Sequence, residues 1–137
     1  MIRFPTWRTS LFNYVKNTRA EPYELGTHDC LIWVAGAVSA MVGVDIAASY
    51  AGRYKTVKGA IGLMKRSGAD NMAELVGKHL EELESPTLAQ IGDVMAIPVD
   101  DGFGYALGVL VGERVLVLSQ TGVDSRDRSE ATRAFGV

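Results

Sequence analysis

Apolar residues recur at helical spacing in the first half of the chain and gather into short runs between turn residues in the second half. Trp7, Leu11 and Tyr14/Val15 lie on one side of a helix expected from about Thr6 to Ala20, with Thr6 as N-cap after Pro5. Glu21 to Gly26 interrupts it as a loop. From Cys30 to about Val42 almost every position is apolar, and a helix apolar on all faces belongs inside a domain. Asp29 is its expected N-cap and Gly43 its stop. After a loop holding Tyr50 and Tyr54, Thr56 caps a helix from Val57 to Ser67 that Gly68 closes. Asp70 caps a further helix over roughly Asn71 to Glu84, with Met72, Leu75, Val76, Leu80 and Leu83 as its stripe and Pro86 as its stop.

Beyond Pro86 the pattern changes. Asp93 to Pro98, Tyr105 to Val111 and Arg114 to Ser119 are β-prone runs, separated by Asp100-Asp101-Gly102 and Gly112-Glu113 turns. Ala131 to Phe135 reads as a last strand or a turn of helix, and Arg126 to Glu130 as a solvated mixed-charge turn. Helices followed by an antiparallel sheet predict an α+β fold, in one domain over residues 1–137 with no repeat or linker.

Composition narrows the function classes. The 137 residues are 47% hydrophobic and 22% charged, as in an ordinary globular protein. Fourteen basic and sixteen acidic residues give a net charge of −2 without a basic stripe, so nucleic acid is not an expected partner. No stretch approaches the roughly 20 apolar residues that span a bilayer, and no apolar signal-peptide core follows Met1. The expectation is a protein made and kept in a cytosol, or carried out as part of something larger, without membrane insertion. The single cysteine excludes an internal disulfide and a Cys-based zinc site. Two histidines among scattered carboxylates show no metal spacing, and Gly102-Phe103-Gly104 lacks the strand–loop–helix context of a nucleotide cradle. Neither a metal nor a cofactor is expected.

The lone thiol carries the candidate chemistry. A cysteine in the first turn of a helix meets free N–H groups and the positive end of the helix dipole, which favour thiolate. Its backbone N–H can also face an oxyanion on an attacked carbonyl. The other reading of Cys30 is a small apolar residue entering a buried helix.

Four pieces in order resemble papain-fold cysteine peptidases of the NlpC type. That family has a Pro-Tyr-x-Trp-Gly-Gly loop, then Asp-Cys-Ser-Gly opening its central helix, a Gly-Asp pair starting the first core strand, and His-Val-Gly on the next strand. Here they correspond to Pro22-Tyr23-Glu24-Leu25-Gly26, Asp29-Cys30, Gly92-Asp93 and Ala106-Leu107-Gly108. The resemblance implies a Cys-bearing central helix packed on a small antiparallel sheet, and places Cys30 as nucleophile and Ala106 where the family's base stands. Along its whole length the chain is also similar to short phage and prophage proteins. These share the aromatic first helix, a Gly-x-His-Asp-Cys block, a loop like Tyr50-Ala51-Gly52-Arg53-Tyr54 and an Ala-Thr-Arg-Ala-aromatic ending. That second resemblance implies a tail protein of the virion, assembled in the bacterial host cytoplasm with hub, distal-tail or tip components as partners.

Alanine can neither hold a thiolate nor protonate a leaving amine, so the resemblance implies a degenerate catalytic site. His28, two residues before Cys30, is a substitute base or a residue that bonds its own loop; His79 is a substitute base or a rim residue of a packed helix. Asp93, Asp100, Asp101 and Tyr105 are within possible reach of the cleft, with Asp93 more simply bonding the loop before its strand. Tyr50, Arg53 and Tyr54 form either an interface cluster or the edge of the core. Three functions follow: a tail component, at the tip, with a cleft that no longer cuts; an active amidase or peptidase on cell-wall peptide using Cys30; and a cytosolic module that binds a small ligand in the old cleft.

Overall fold

A computed structural model describes residues 2–137. The described residues form an α+β domain of four helices and one six-stranded antiparallel sheet. In order these are α1 (Trp7–Thr18), α2 (Cys30–Val42), α3 (Val57–Arg66), α4 (Met72–Gly77), β1 (Glu81–Glu82), β2 (Val94–Pro98), β3 (Tyr105–Leu110), β4 (Arg114–Ser119), β5 (Gly122–Asp127) and β6 (Arg133–Gly136). Short 3-10 turns occupy Pro86–Leu88 and Arg128–Glu130. The strand order across the sheet is β1-β6-β2-β3-β4-β5.

The apolar helix is the centre of the molecule. Trp33, Val34, Ala37, Val38 and Met41 of α2 have no exposed surface. Its N-cap is the expected one, with the Asp29 carboxylate accepting from the Ile32 N–H at 3.1 Å. Gly43 ends it in the left-handed conformation at φ 78°. Helix α1 crosses α2 through polar anchors set in apolar packing: the Trp33 indole N–H donates to Thr18 Oγ1 at 2.8 Å, and the Tyr14 hydroxyl to the Trp33 carbonyl at 2.7 Å.

Strand alternation gives the sheet two apolar faces. Val94, Ala96, Leu107, Val109 and Phe135 join the helices in the main core, while Met95, Ile97, Leu110, Val115 and Ala134 pack with Ala89 and Ala131 on the opposite side. The β2–β3 register pairs Ile97 with Ala106 and Ala96 with Leu107. Strand β6 lies between β1 and β2, pairing Phe135 with both Glu82 and Val94.

Three local expectations are corrected. Thr6 forms no side-chain cap, because it sits at φ −96°, ψ 19°, away from the extended conformation that aims a hydroxyl at the first turn. The helix expected to Glu84 stops at Gly77 and is capped by Asn71, whose side chain accepts from the Glu74 N–H at 2.9 Å. Backbone pairing with β6 takes over beyond it: Glu81 and Glu82 form β1, and the Leu83 N–H donates to the Ala134 carbonyl. Arg126 and Asp127 are not a free turn. They end β5, a polar edge strand that pairs with β4 over six residues.

Candidate functional site

The loop before α2 is built around one buried carboxylate. Asp29 Oδ1 caps α2, and Oδ2 accepts from the Gly26 N–H at 2.9 Å and from the Tyr54 hydroxyl at 2.5 Å. The Gly26 carbonyl in turn accepts from the Gly52 N–H at 2.8 Å, so the 50–54 loop is stitched over the 24–29 loop. Gly26 has φ +93°, and a Cβ there would lie 2.2 Å from the Tyr54 carbonyl oxygen. Only glycine fits this crossing.

This scaffold places Cys30 on the wall of a cavity of about 250 Å³. Tyr23, Asp29, Cys30, Tyr50, Tyr54 and Ala106, six of the residues singled out in the sequence, all line it. Asp101 and Tyr105 join them, whereas Asp93 and Asp100 do not. Backbone hydrogen bonding by Leu107 of β3 and by Leu31 favours thiolate, as a nucleophile needs. It is outweighed. Burial, with the Asp29 charge next, pushes the thiol up from 9.0 to about 11, so Cys30 is a neutral thiol at neutral pH.

The tyrosines are held the same way. Burial, then the hydrogen bond to Asp29, raises Tyr54 well above the usual phenol range; burial, then the Cys30 charge, raises Tyr23; burial raises Tyr50. Tyr50 and Tyr54 are both core residues, and their aromatic bodies close the inner side of the cavity, whereas Arg53 is exposed and donates to the Ser49 carbonyl at 3.0 Å. The loop therefore divides: its tyrosines belong to the core and its arginine to the surface.

Neither histidine lines the cavity. His28 Nδ1 is 3.3 Å from Glu21, its backbone pairs with Glu24, and its buried Nε2 has no hydrogen-bond partner. His79, beyond the end of α4, contacts the Tyr50 hydroxyl through Nε2 at 2.8 Å. Asp93 lies in a separate cluster, where its carboxylate accepts from the Gln90 N–H at 2.8 Å, the Val137 N–H at 3.1 Å and the Arg3 guanidinium at 2.9 Å. It bonds the turn before β2, the role its position in the sequence favours over a place in the cleft.

The apolar part of the cavity comes from residues with no chemical signature. Leu63, Met64, Met72, Leu75 and Phe103 line it, and their only signal in sequence is membership of helical stripes or a turn. Gln120, at the β4–β5 turn, lines it as well. Among the described residues no group of three or more His, Cys, Asp or Glu side chains is placed to hold a metal ion. No helix among the described residues is long and apolar enough to cross a membrane.

The chain belongs to a protein family defined as a domain of unknown function (DUF6950), whose model matches residues 2–137. Comparison with curated proteins gives no match.

Proposed function

We propose that this DUF6950 family member is a structural or assembly component of a phage or phage-derived tail, at the tail tip, built on an NlpC-like papain fold that has lost catalysis. The observation that carries the reading is the environment of Cys30: a neutral thiol whose cavity is lined by carboxylates, tyrosines and Ala106, with no imidazole. A thiol nucleophile needs a base that also protonates the leaving amine, and a tyrosine whose hydroxyl is held protonated cannot first accept the thiol proton. Support for the ancestry is the order of parts. The Cys-bearing helix precedes the sheet, Gly92-Asp93 leads into β2, and β3 carries Ala106 on the wall of the cavity that Cys30 lines. The tail assignment rests on the resemblance of the whole sequence to phage proteins, and it makes hub, distal-tail or tip proteins the partners and the virion the destination.

Two measurements test the two halves of the proposal. Alkylation of Cys30 by iodoacetamide at neutral pH is expected to be slow in the folded protein and fast after denaturation. Rapid alkylation of the folded protein, together with a cell-wall-cleaving activity that Cys30→Ala abolishes, would establish the active amidase instead. Deleting the gene from a phage or prophage that carries it is expected to give defective tails; normal, infective particles without the protein would end the structural reading.

A further inference from the structure

We infer that the cavity beside Cys30 is a binding site for a compact apolar group carrying a protonated amine. This takes the silent cleft one step further and rests on that reading only in so far as the cleft does not cut. Size comes first. A dry protein cavity of about 150 Å³ already admits a benzene ring, and this one measures about 250 Å³. Its inner wall is apolar and well packed, with Leu63, Met64, Met72 and Leu75 all buried. Tyr23 and Phe103, each half-buried, supply aromatic faces, while the ring of Tyr105 already has the Arg133 guanidinium 5.7 Å from its centroid.

Charge selects the polar end of the ligand. The ionisable residues lining the cavity are Asp29, Asp101, Cys30 and tyrosines, and no lysine, arginine or histidine joins them. Both oxygens of Asp29 are already engaged, by the Ile32 N–H on one and by the Gly26 N–H and Tyr54 hydroxyl on the other. Asp101 is different. It is exposed, one oxygen accepts from the Phe103 and Gly104 N–H groups at 2.8 and 3.2 Å, and its second oxygen makes no hydrogen bond among the described residues. The negative field of Asp101 reaches inward, since it raises both Cys30 and Tyr23. An ammonium head beside this carboxylate and against aromatic faces is favoured twice over, and a carboxylate head is repelled.

Three probes of one shape and different charge test the site: benzylamine, benzyl alcohol and benzoate, titrated into the whole protein at neutral pH and followed by amide NMR shifts. Benzylamine is expected to give saturable shifts at Leu31, Phe103 and Gln120, with an affinity about threefold to fivefold above benzyl alcohol, the size of one partly exposed ion pair. Benzoate is expected to give none. Asp101→Asn keeps the oxygen that caps the turn and should bring benzylamine down to the affinity of benzyl alcohol. Ala106→Leu, which fills the cavity wall, should weaken both. A lysine-containing peptide that displaces benzylamine would assign the natural ligand to a partner chain; failure to displace it would assign it to a free amine. The inference is overturned if benzoate binds as well as benzylamine, if no probe gives saturable shifts, or if the shifts lie away from the cavity. Such a failure leaves the tail assignment standing, because that depends on particle assembly and not on probe binding.

Discussion

At the scale of single residues, Asp29 does more than any other side chain. It caps α2, fixes the Gly26 turn and receives the Tyr54 hydroxyl, and its charge helps to keep Cys30 protonated. Asp29→Asn keeps the cap oxygen but offers an amide where two donors now meet an acceptor. Leaving buried donors unmet costs about 1–3 kcal/mol, measurable as a lower urea midpoint. The same change should bring the thiol down from about 11, shifting the pH profile of alkylation to lower pH. Alkali gives a second test. The thiol ionises at 9.0 when unfolded and at about 11 when folded, so its contribution to stability is complete below pH 9.0 and disappears as pH rises to about 11. Unfolding free energies across that window are expected to fall, and to fall less steeply in Cys30→Ala.

At the scale of elements, the α1–α2 contact depends on a close approach that the apolar pattern does not reveal. A Cβ on Gly36 would lie 2.2 Å from the Tyr14 hydroxyl, which donates to the Trp33 carbonyl. Gly36→Ala therefore either displaces Tyr14 and breaks that bond or pushes α1 away from α2. Added helix propensity in α2 is worth roughly 1 kcal/mol at most, while overpacking costs about 1–3 kcal/mol. The expected net effect is a lower thermal midpoint, with loss of near-ultraviolet circular dichroism from Trp33. Helix α4 and β1 give the opposite lesson. The apolar stripe continues through Leu80 and Leu83, yet the chain leaves the helix after Gly77 because β6 offers backbone partners to residues 81–83.

At the scale of the whole molecule, both ends of the chain converge on the turn before β2. Arg3 donates to the Ile91 carbonyl at 2.8 Å, the Val137 carbonyl at 2.9 Å and the Asp93 carboxylate at 2.9 Å, and Asp93 also accepts from the Val137 N–H. This clamp joins positions 88, 90 and 134 residues away from Arg3. Arg3→Ala leaves the buried Asp93 without its cation, and the loss of a charged hydrogen-bonded partner is expected to cost about 1.5–3 kcal/mol. Hydrogen exchange checks where the loss falls: faster exchange at Val137 and through β6, with α3 unchanged. Arg3 and Asp93 are common residue types far apart in the chain, and only folding makes them neighbours.

Local rules decided much of this protein from its sequence alone. The buried helix from Cys30 to Val42, its Asp29 cap and Gly43 stop, three of the strands and the α+β order follow from apolar periodicity and cap chemistry, which act over a few residues. Eight of the residues singled out in the sequence, Tyr23, Asp29, Cys30, Tyr50, Tyr54, Asp101, Tyr105 and Ala106, share one cavity, although the contact that joins the Asp-Cys turn to the tyrosine loop, Tyr54 to Asp29, forms only on folding. Tertiary structure decided the rest. The polar β5 shows no apolar alternation and exists as an edge strand because β4 pairs with it, and α4 is cut short by β6. The state of Cys30 also lay outside the sequence. A helix N-terminus favours thiolate, but the balance is set by burial and by carboxylates from two different loops, which surround the thiol only once the chain has folded.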